Sequence, residues 1–230
     1  YSDTKRYLDL NVTDLYVSGG VRANTNITSD DFNLTESGWL NASGFGYAGR
    51  GDYNSGVGPG SGEFYFGGSV GYSGGAGHGG IGGSSYNTSG GQVYGNIFNP
   101  ASFGSGGGGK AAQGGDGGGR IFVESNETTI EGSAKSRGLD GNFAGTGSGS
   151  GGSGGTIQIN STKLIGDGLL LAEGGKSGDE SNAGGGAGGR VAIHSDSSDF
   201  DISVNVEGGE GYQDGGDGTV YTSFDISRNT

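Results

Sequence analysis

Seven asparagines stand in the acceptor pattern for N-linked sugar, Asn-X-Ser/Thr: Asn11, Asn26, Asn33, Asn41, Asn87, Asn126 and Asn160. With 15 Asn and close to a fifth of the chain Ser or Thr, accident alone would supply roughly three. Used as acceptors, they mark surface positions of a protein that has passed through a secretory route. Asn, Ser and Thr are also ordinary turn residues, which is the competing explanation for the same triplets.

Other reactive-looking patterns weaken on inspection. Arg50-Gly51-Asp52 is the tripeptide read by integrin-type adhesion receptors, in a glycine-rich stretch that would leave it accessible. The same composition generates it by accident. Gly104-Ser105-Gly106-Gly107-Gly108-Gly109-Lys110 nearly spells a phosphate-binding loop, but Ala111 replaces the required hydroxyl. No helix can follow through Gln113-Gly114-Gly115. The acidic groups Asp179-Glu180, Asp196 with Asp199, and Asp214 with Asp217 could attract Ca²⁺, yet none has the spacing of a calcium repeat or EF-hand. Solvated turns are the expectation there. His78 and His194 are 116 residues apart and there is no cysteine, which provisions transition-metal chemistry poorly. His78, between glycines, is expected in a turn, and His194 at a strand end. The sequence therefore predicts no catalytic, cofactor or metal residues, and N-linked glycans as the attached groups.

The elements that carry these residues repeat. A glycine pair followed by a β-prone run opens at Arg120-Ile121-Phe122-Val123, Thr156-Ile157-Gln158-Ile159 and Arg190-Val191-Ala192-Ile193, and Gly218 precedes Thr219-Val220-Tyr221. Those starts are 36, 34 and 29 residues apart, a spacing typical of stacked repeats that bury apolar faces against their neighbours. Second strands are expected at Lys163-Leu164-Ile165 with Leu169 to Ala172, and over 200–206, each running into Gly-Gly. Apolar residues alternate with period two at Leu8, Leu10 and Val12, and at Ile202, Val204 and Val206. Shorter apolar groups, Phe64-Tyr65-Phe66, Val93-Tyr94 and Ile97-Phe98, interrupt the densest glycine.

Gly accounts for 60 of 230 residues and the apolar set for 29%. Read alone this is linker composition, but 10 Phe and 11 Tyr spread along the chain argue for a folded protein. The two prolines and the lack of a strict third-residue glycine exclude collagen. The glycine runs have two physical readings: loops with positive φ, or extended polyglycine II segments packed side by side because no side chain intervenes. The predicted fold is all-β, a parallel β-helix or β-solenoid with long glycine-rich loops. Residues 1–45 are expected as an irregular β segment capping one end, 46–224 as the glycine-rich repeat domain, and 225–230 as a tail.

The order Ala76-Gly77-His78-Gly79-Gly80-Ile81-Gly82-Gly83, then Tyr94-Gly95-Asn96-Ile97-Phe98-Asn99-Pro100, then Phe103-Gly104-Ser105-Gly106 resembles a module of very large extracellular eukaryotic proteins. In that module Gly-Gly-[Arg/Thr]-[Ile/Val] strands follow, with a Leu-x-Ala-x-Gly-Gly element matched by Leu171-Ala172-Glu173-Gly174-Gly175. The resemblance covers residues 45–222 and its motifs are mostly glycine. It implies surface filaments, including the mastigonemes of flagella, and transfers no catalytic residue.

The formal charge of −13 opposes nucleic acid and anionic lipid, which need a basic footprint. No apolar stretch reaches the length of a membrane span. A first residue Tyr1 rather than Met predicts a processed product or fragment. Together these features predict a non-catalytic structural subunit of an extracellular, cell-surface or flagellar-surface filament or coat, partnered by copies of itself or other subunits. The competing expectation is a recognition module whose aromatic loops bind a receptor or carbohydrate. An enzyme on a β-helix is the third, but the 12 basic residues form no cluster in sequence.

Overall fold

The computed structural model describes residues 6–67, 70–145, 147–197 and 200–223. It is all-β and mostly parallel. The larger sheet holds β1 (Tyr7–Val17), β3 (Asn24–Leu34), β7 (Arg120–Ile130), β9 (Thr156–Ile165), β11 (Arg190–Ser195) and β13 (Thr219–Thr222), hydrogen-bonded in that order. A second sheet holds β2 (Gly20–Val21), β4 (Trp39–Asn41), β8 (Ser133–Lys135), β10 (Leu169–Leu171) and β12 (Ser203–Asn205), also in chain order. Each repeat thus adds one long strand and one short strand. An antiparallel hairpin, β5 (Phe64–Gly67) with β6 (Val70–Ser73), stands apart within the long excursion between β4 and β7.

The four predicted strand openings are the first residues of β7, β9, β11 and β13. Lys163 to Ile165, expected as a separate strand, instead continues β9, because the ladder resumes after a bend with Glu127↔Lys163 and Thr129↔Ile165. In 200–206 only β12 pairs, while Phe200, Ile202, Val204 and Val206 pack against the core half-buried. Within residues 1–45, β1 to β4 lie in the same two sheets as the later repeats. The expected tail, 225–230, falls outside the described residues.

In-register parallel pairing stacks like on like. Ile27, Val123, Ile159 and Ile193 form one inward column, and Ile121, Ile157 and Val191 another. Leu40, Ala134 and Leu170 face them from the smaller sheet, and all belong to one buried cluster. Alternation of apolar and polar residues is what turns these side chains to one face.

The long strands bend in their middle. Pairing passes from Ser29↔Ser125 to Asp31↔Glu127 and from Ser125↔Ser161 to Glu127↔Lys163, stepping over Asp30, Asn126 and Thr162. The bend is fastened by stacked serines. Ser125 Oγ donates to the Glu127 carbonyl (3.0 Å) and Ser161 Oγ to the Lys163 carbonyl (2.8 Å), while Ser195 Oγ accepts from the Ser197 amide (3.2 Å). Such local bonds compete with the ladder and turn the chain.

Glycine segments join the smaller sheet back to the larger and satisfy their backbones with a three-residue period. The amides of Gly149, Gly152 and Gly155 donate to Asn142, Leu139 and Ser136. Those of Ser150 and Ser153 donate to Gly108 and Ser105, and those of Gly151 and Gly154 to Gly184 and Ala187. One segment thereby bonds three neighbours in rotation. Positive φ among described glycines is confined to Gly44, Gly58, Gly95, Gly145 and Gly166, so the runs 104–109 and 147–155 do not use glycine for that purpose. They use it for proximity: a Cβ on Gly151 would stand 1.9 Å from the Gly175 oxygen, and one on Gly154 2.1 Å from the Ala172 oxygen. Serine within the runs replaces peptide acceptors, Ser153 Oγ taking the Ser105 amide (2.8 Å) and Ser150 Oγ the Gly108 amide (2.9 Å).

Candidate functional site

Five of the seven sequon asparagines lie on the larger sheet: Asn11 on β1, Asn26 and Asn33 on β3, Asn126 on β7 and Asn160 on β9. Asn41 ends β4, and Asn87 sits at φ 56° in a turn closed by reciprocal backbone bonds between Ser85 and Thr88. Asn11, Asn26, Asn87 and Asn126 are exposed; Asn33, Asn41 and Asn160 are half-buried. Asn26 Nδ2 donates to Asp9 (3.0 Å) and Asn126 Nδ2 to Asp30 (3.1 Å).

The strand bend creates an open groove of about 580 Å³ across β3, β7, β9 and β11. One wall is the register column Thr28, Glu124, Asn160 and His194. The other consists of the residues stepped over at the bend, Asp30, Asn126 and Thr162, with Asp196 beyond them. Stacked Ser29, Ser125, Ser161 and Ser195 lie between, each at most 8% exposed. The Ser29 Oγ is buried with no hydrogen-bond partner, a state that costs free energy. Among the described residues no Lys or Arg lines the groove. Sequence reading found Asn126 and Asn160 but missed the groove; its signal is a serine five residues after Arg120, Thr156 and Arg190.

A second cluster is buried. Arg190, 2% exposed, donates from Nε and Nη2 to the Tyr94 carbonyl (3.0 and 2.8 Å), from Nη2 to the His78 carbonyl (3.3 Å) and from Nη1 to Thr219 Oγ1 (2.8 Å). No carboxylate pairs with it among the described residues. Burial lowers its pKa. His78 is fully buried, its Nδ1 bonded to the Gly154 carbonyl at 2.8 Å and its ring against Tyr94 at 4.7 Å. That bond makes Nδ1 the protonated nitrogen of a neutral ring. Burial, with the nearby Arg190 charge, lowers its pKa to about 4, against the smaller upward pull of the Gly154 bond. His78 lies at a bend over 78–80, in keeping with the expected turn, and is also a core residue, because glycine neighbours let other segments close over it. Burial also raises the pKa of Tyr94, whose hydroxyl donates to Phe103 and accepts from Ser105.

Other sequence candidates are spread apart. Arg50 and Asp52 have exposed side chains, with Asp52 at φ 52° and Tyr53 at φ 66°. The six amides of 104–109 are all donated to neighbouring segments or serines, so that run cannot present them to a phosphate. Asp179 accepts from the Ser181 amide (3.0 Å) and Asn182 Nδ2 (2.8 Å), which hold its carboxyl below the usual range. Asp214 and Asp217 accept from the amides of Gly211 and Gly208. These acids shape turns. Asp199 lies outside the described residues, and among those described no three His, Cys, Asp or Glu side chains gather as a metal site. His194 Nε2 donates to the Phe98 carbonyl at 2.7 Å. No helix among the described residues is long and apolar enough to cross a membrane.

Comparison with family models, with curated proteins and with solved structures finds no match.

Proposed function

We propose that this chain is a non-catalytic structural segment of an extracellular, N-glycosylated filament or surface coat, akin to the mastigoneme-like module. In this reading the two parallel sheets are sides of a β-solenoid, and the glycine segments are polyglycine II helices packed around one another. The observation that carries it is the three-residue rotation of amide donation, since a backbone that bonds three neighbours in turn is built for lateral packing rather than for catalysis. Strand order that follows chain order supports a rod-like stack, and five sequons on one sheet support a sugar-bearing flank. Partners would be further copies or other subunits of the same assembly.

Negative-stain electron microscopy of native material, with glycopeptide mass spectrometry, tests this. Filaments or laminated coats bearing occupied asparagines are expected. Compact monomers at native concentration with bare asparagines would defeat it.

One observation favours an adhesive role instead. Tyr53 packs edge-on against Phe64 (5.9 Å) and Phe66 (5.6 Å), and Tyr53, Tyr65 and Phe66 remain exposed beside the Arg50-Gly51-Asp52 turn. Exposed aromatic clusters suit recognition. Saturable receptor or glycan binding lost in Tyr53→Ala/Phe66→Ala would establish that role.

A further inference from the structure

We infer that the groove at the bend of the larger sheet is a seat for a neutral carbohydrate chain. The inference deepens the glycoprotein reading, on which it rests for one of two sugar sources: an N-linked glycan rooted at Asn126 or Asn160, or a separate linear glycan.

Periodicity supplies the first reason. Parallel strands repeat every ~4.8 Å, and a linear chain of pyranose rings advances by a closely similar step. Each strand contributes the same set to the groove: a wall residue, a bend residue and a serine. Successive rings would therefore meet polar groups at equivalent positions. Chemistry supplies the second. Sugar hydroxyls both donate and accept, and the walls alternate acceptors (Asp30, Glu124, Asp196) with side chains that do both (Thr28, Thr162, Asn160). Three carboxylates, with no lysine or arginine among the described residues of the lining, repel anionic glycans and leave neutral ones as the class that fits. The volume of about 580 Å³ lies within the range of small-ligand sites and accommodates a short oligosaccharide.

A third feature points to a glycan rather than a solvent-filled crease. The side chains of Asn126 and Asn160 form part of the walls, so a sugar joined to either begins inside.

The experiment has two arms, both on the full chain. Unglycosylated protein from bacterial cytoplasm is titrated with triacetylchitotriose and with trigalacturonate, followed by amide NMR shifts. Saturable shifts around the bends of β7, β9 and β11 with the first sugar only are expected. Binding should weaken about tenfold in Glu124→Gln/Asp196→Asn, whose melting midpoint should match the parent because both side chains are exposed. In the second arm, protein secreted from eukaryotic cells is treated natively with an endoglycosidase. Core sugars at Asn126 or Asn160 should be released about tenfold more slowly than at exposed Asn87, and equally fast after denaturation. Chitotriose binding with every asparagine bare leaves the seat standing for a free glycan and sinks the glycoprotein reading. Occupied asparagines trimmed at one common rate, without chitotriose binding, overturn the seat and leave that reading intact. Bare asparagines without binding overturn both.

Discussion

Gly186 and Gly152 stand so close that a methyl group on Gly186 would lie 2.0 Å from the Gly152 carbonyl oxygen. The two are linked through Gly175, which accepts from the Gly186 amide (2.9 Å) and donates to the Gly152 carbonyl (2.8 Å). Three chain segments therefore meet with backbone alone, and no rotamer change can relieve an added carbon.

Gly186→Ala is expected to destabilise the fold by about 3 kcal/mol or more, since making room separates segments and breaks buried amide bonds. Gly186→Val should yield no folded protein. Gly19→Ala is the control, because nothing lies within 4 Å of its Cβ position; a change within about 0.5 kcal/mol is expected. Urea midpoints of the three variants measure this, and a tolerated Gly186→Val would refute the packed arrangement.

Arg190 ties three parts of the chain: β11, β13 through Thr219, and the excursion through His78 and Tyr94. Lysine cannot reproduce a planar fork that serves three acceptors. Arg190→Lys should cost on the order of 3 kcal/mol, and hydrogen exchange should rise first at the amides of 77–94. Uniform protection loss across both sheets would contradict this placement.

Gly-Gly-Arg opens both β7 and β11, yet Arg190 is buried while Arg120 is half-exposed over the Phe122 ring at 4.9 Å. The motif made the strand starts legible, because alternation and flanking glycine are local signals. What covers each arginine depends on where the 78-residue stretch 42–119 lands, and no local pattern encodes that. The glycine partners were illegible for a related reason: the contacts run from the backbones of Gly151 and Gly154 to those of Gly184 and Ala187, and a glycine brings no side chain that would single out one glycine run over another. The groove lay between these extremes. Its serines recur at a fixed offset, but only the register reveals that Glu124 and Asn160 are neighbours.

The stability of this buried cluster should depend on pH through His78. Its pKa is about 4 in the fold and about 6.5 in the unfolded chain. Between those values the unfolded state binds more protons, so stability is full above pH 6.5 and declines as pH falls towards 4. The loss is on the order of 3 kcal/mol. Thermal midpoints of the parent should fall across that window more steeply than those of His78→Gln, which starts lower at pH 7 because stacking on Tyr94 is lost. Parallel pH profiles would show that His78 does not titrate as its burial requires.

The serines of the bend separate local bonding from mere position. Ser161→Ala removes the 2.8 Å bond to the Lys163 carbonyl and should cost about 1 kcal/mol. Ser125→Ala should cost somewhat more, because that hydroxyl also bonds the buried Thr128 hydroxyl, which would be left unsatisfied. Ser29 occupies the same register, yet its Oγ has no partner. Ser29→Ala should therefore be neutral or stabilise by up to about 1 kcal/mol, since it removes an unpaired buried polar atom. Chemical denaturation of the three variants decides the matter. Equal losses at all three positions would mean that shape alone makes the bend, with the hydroxyl bonds incidental.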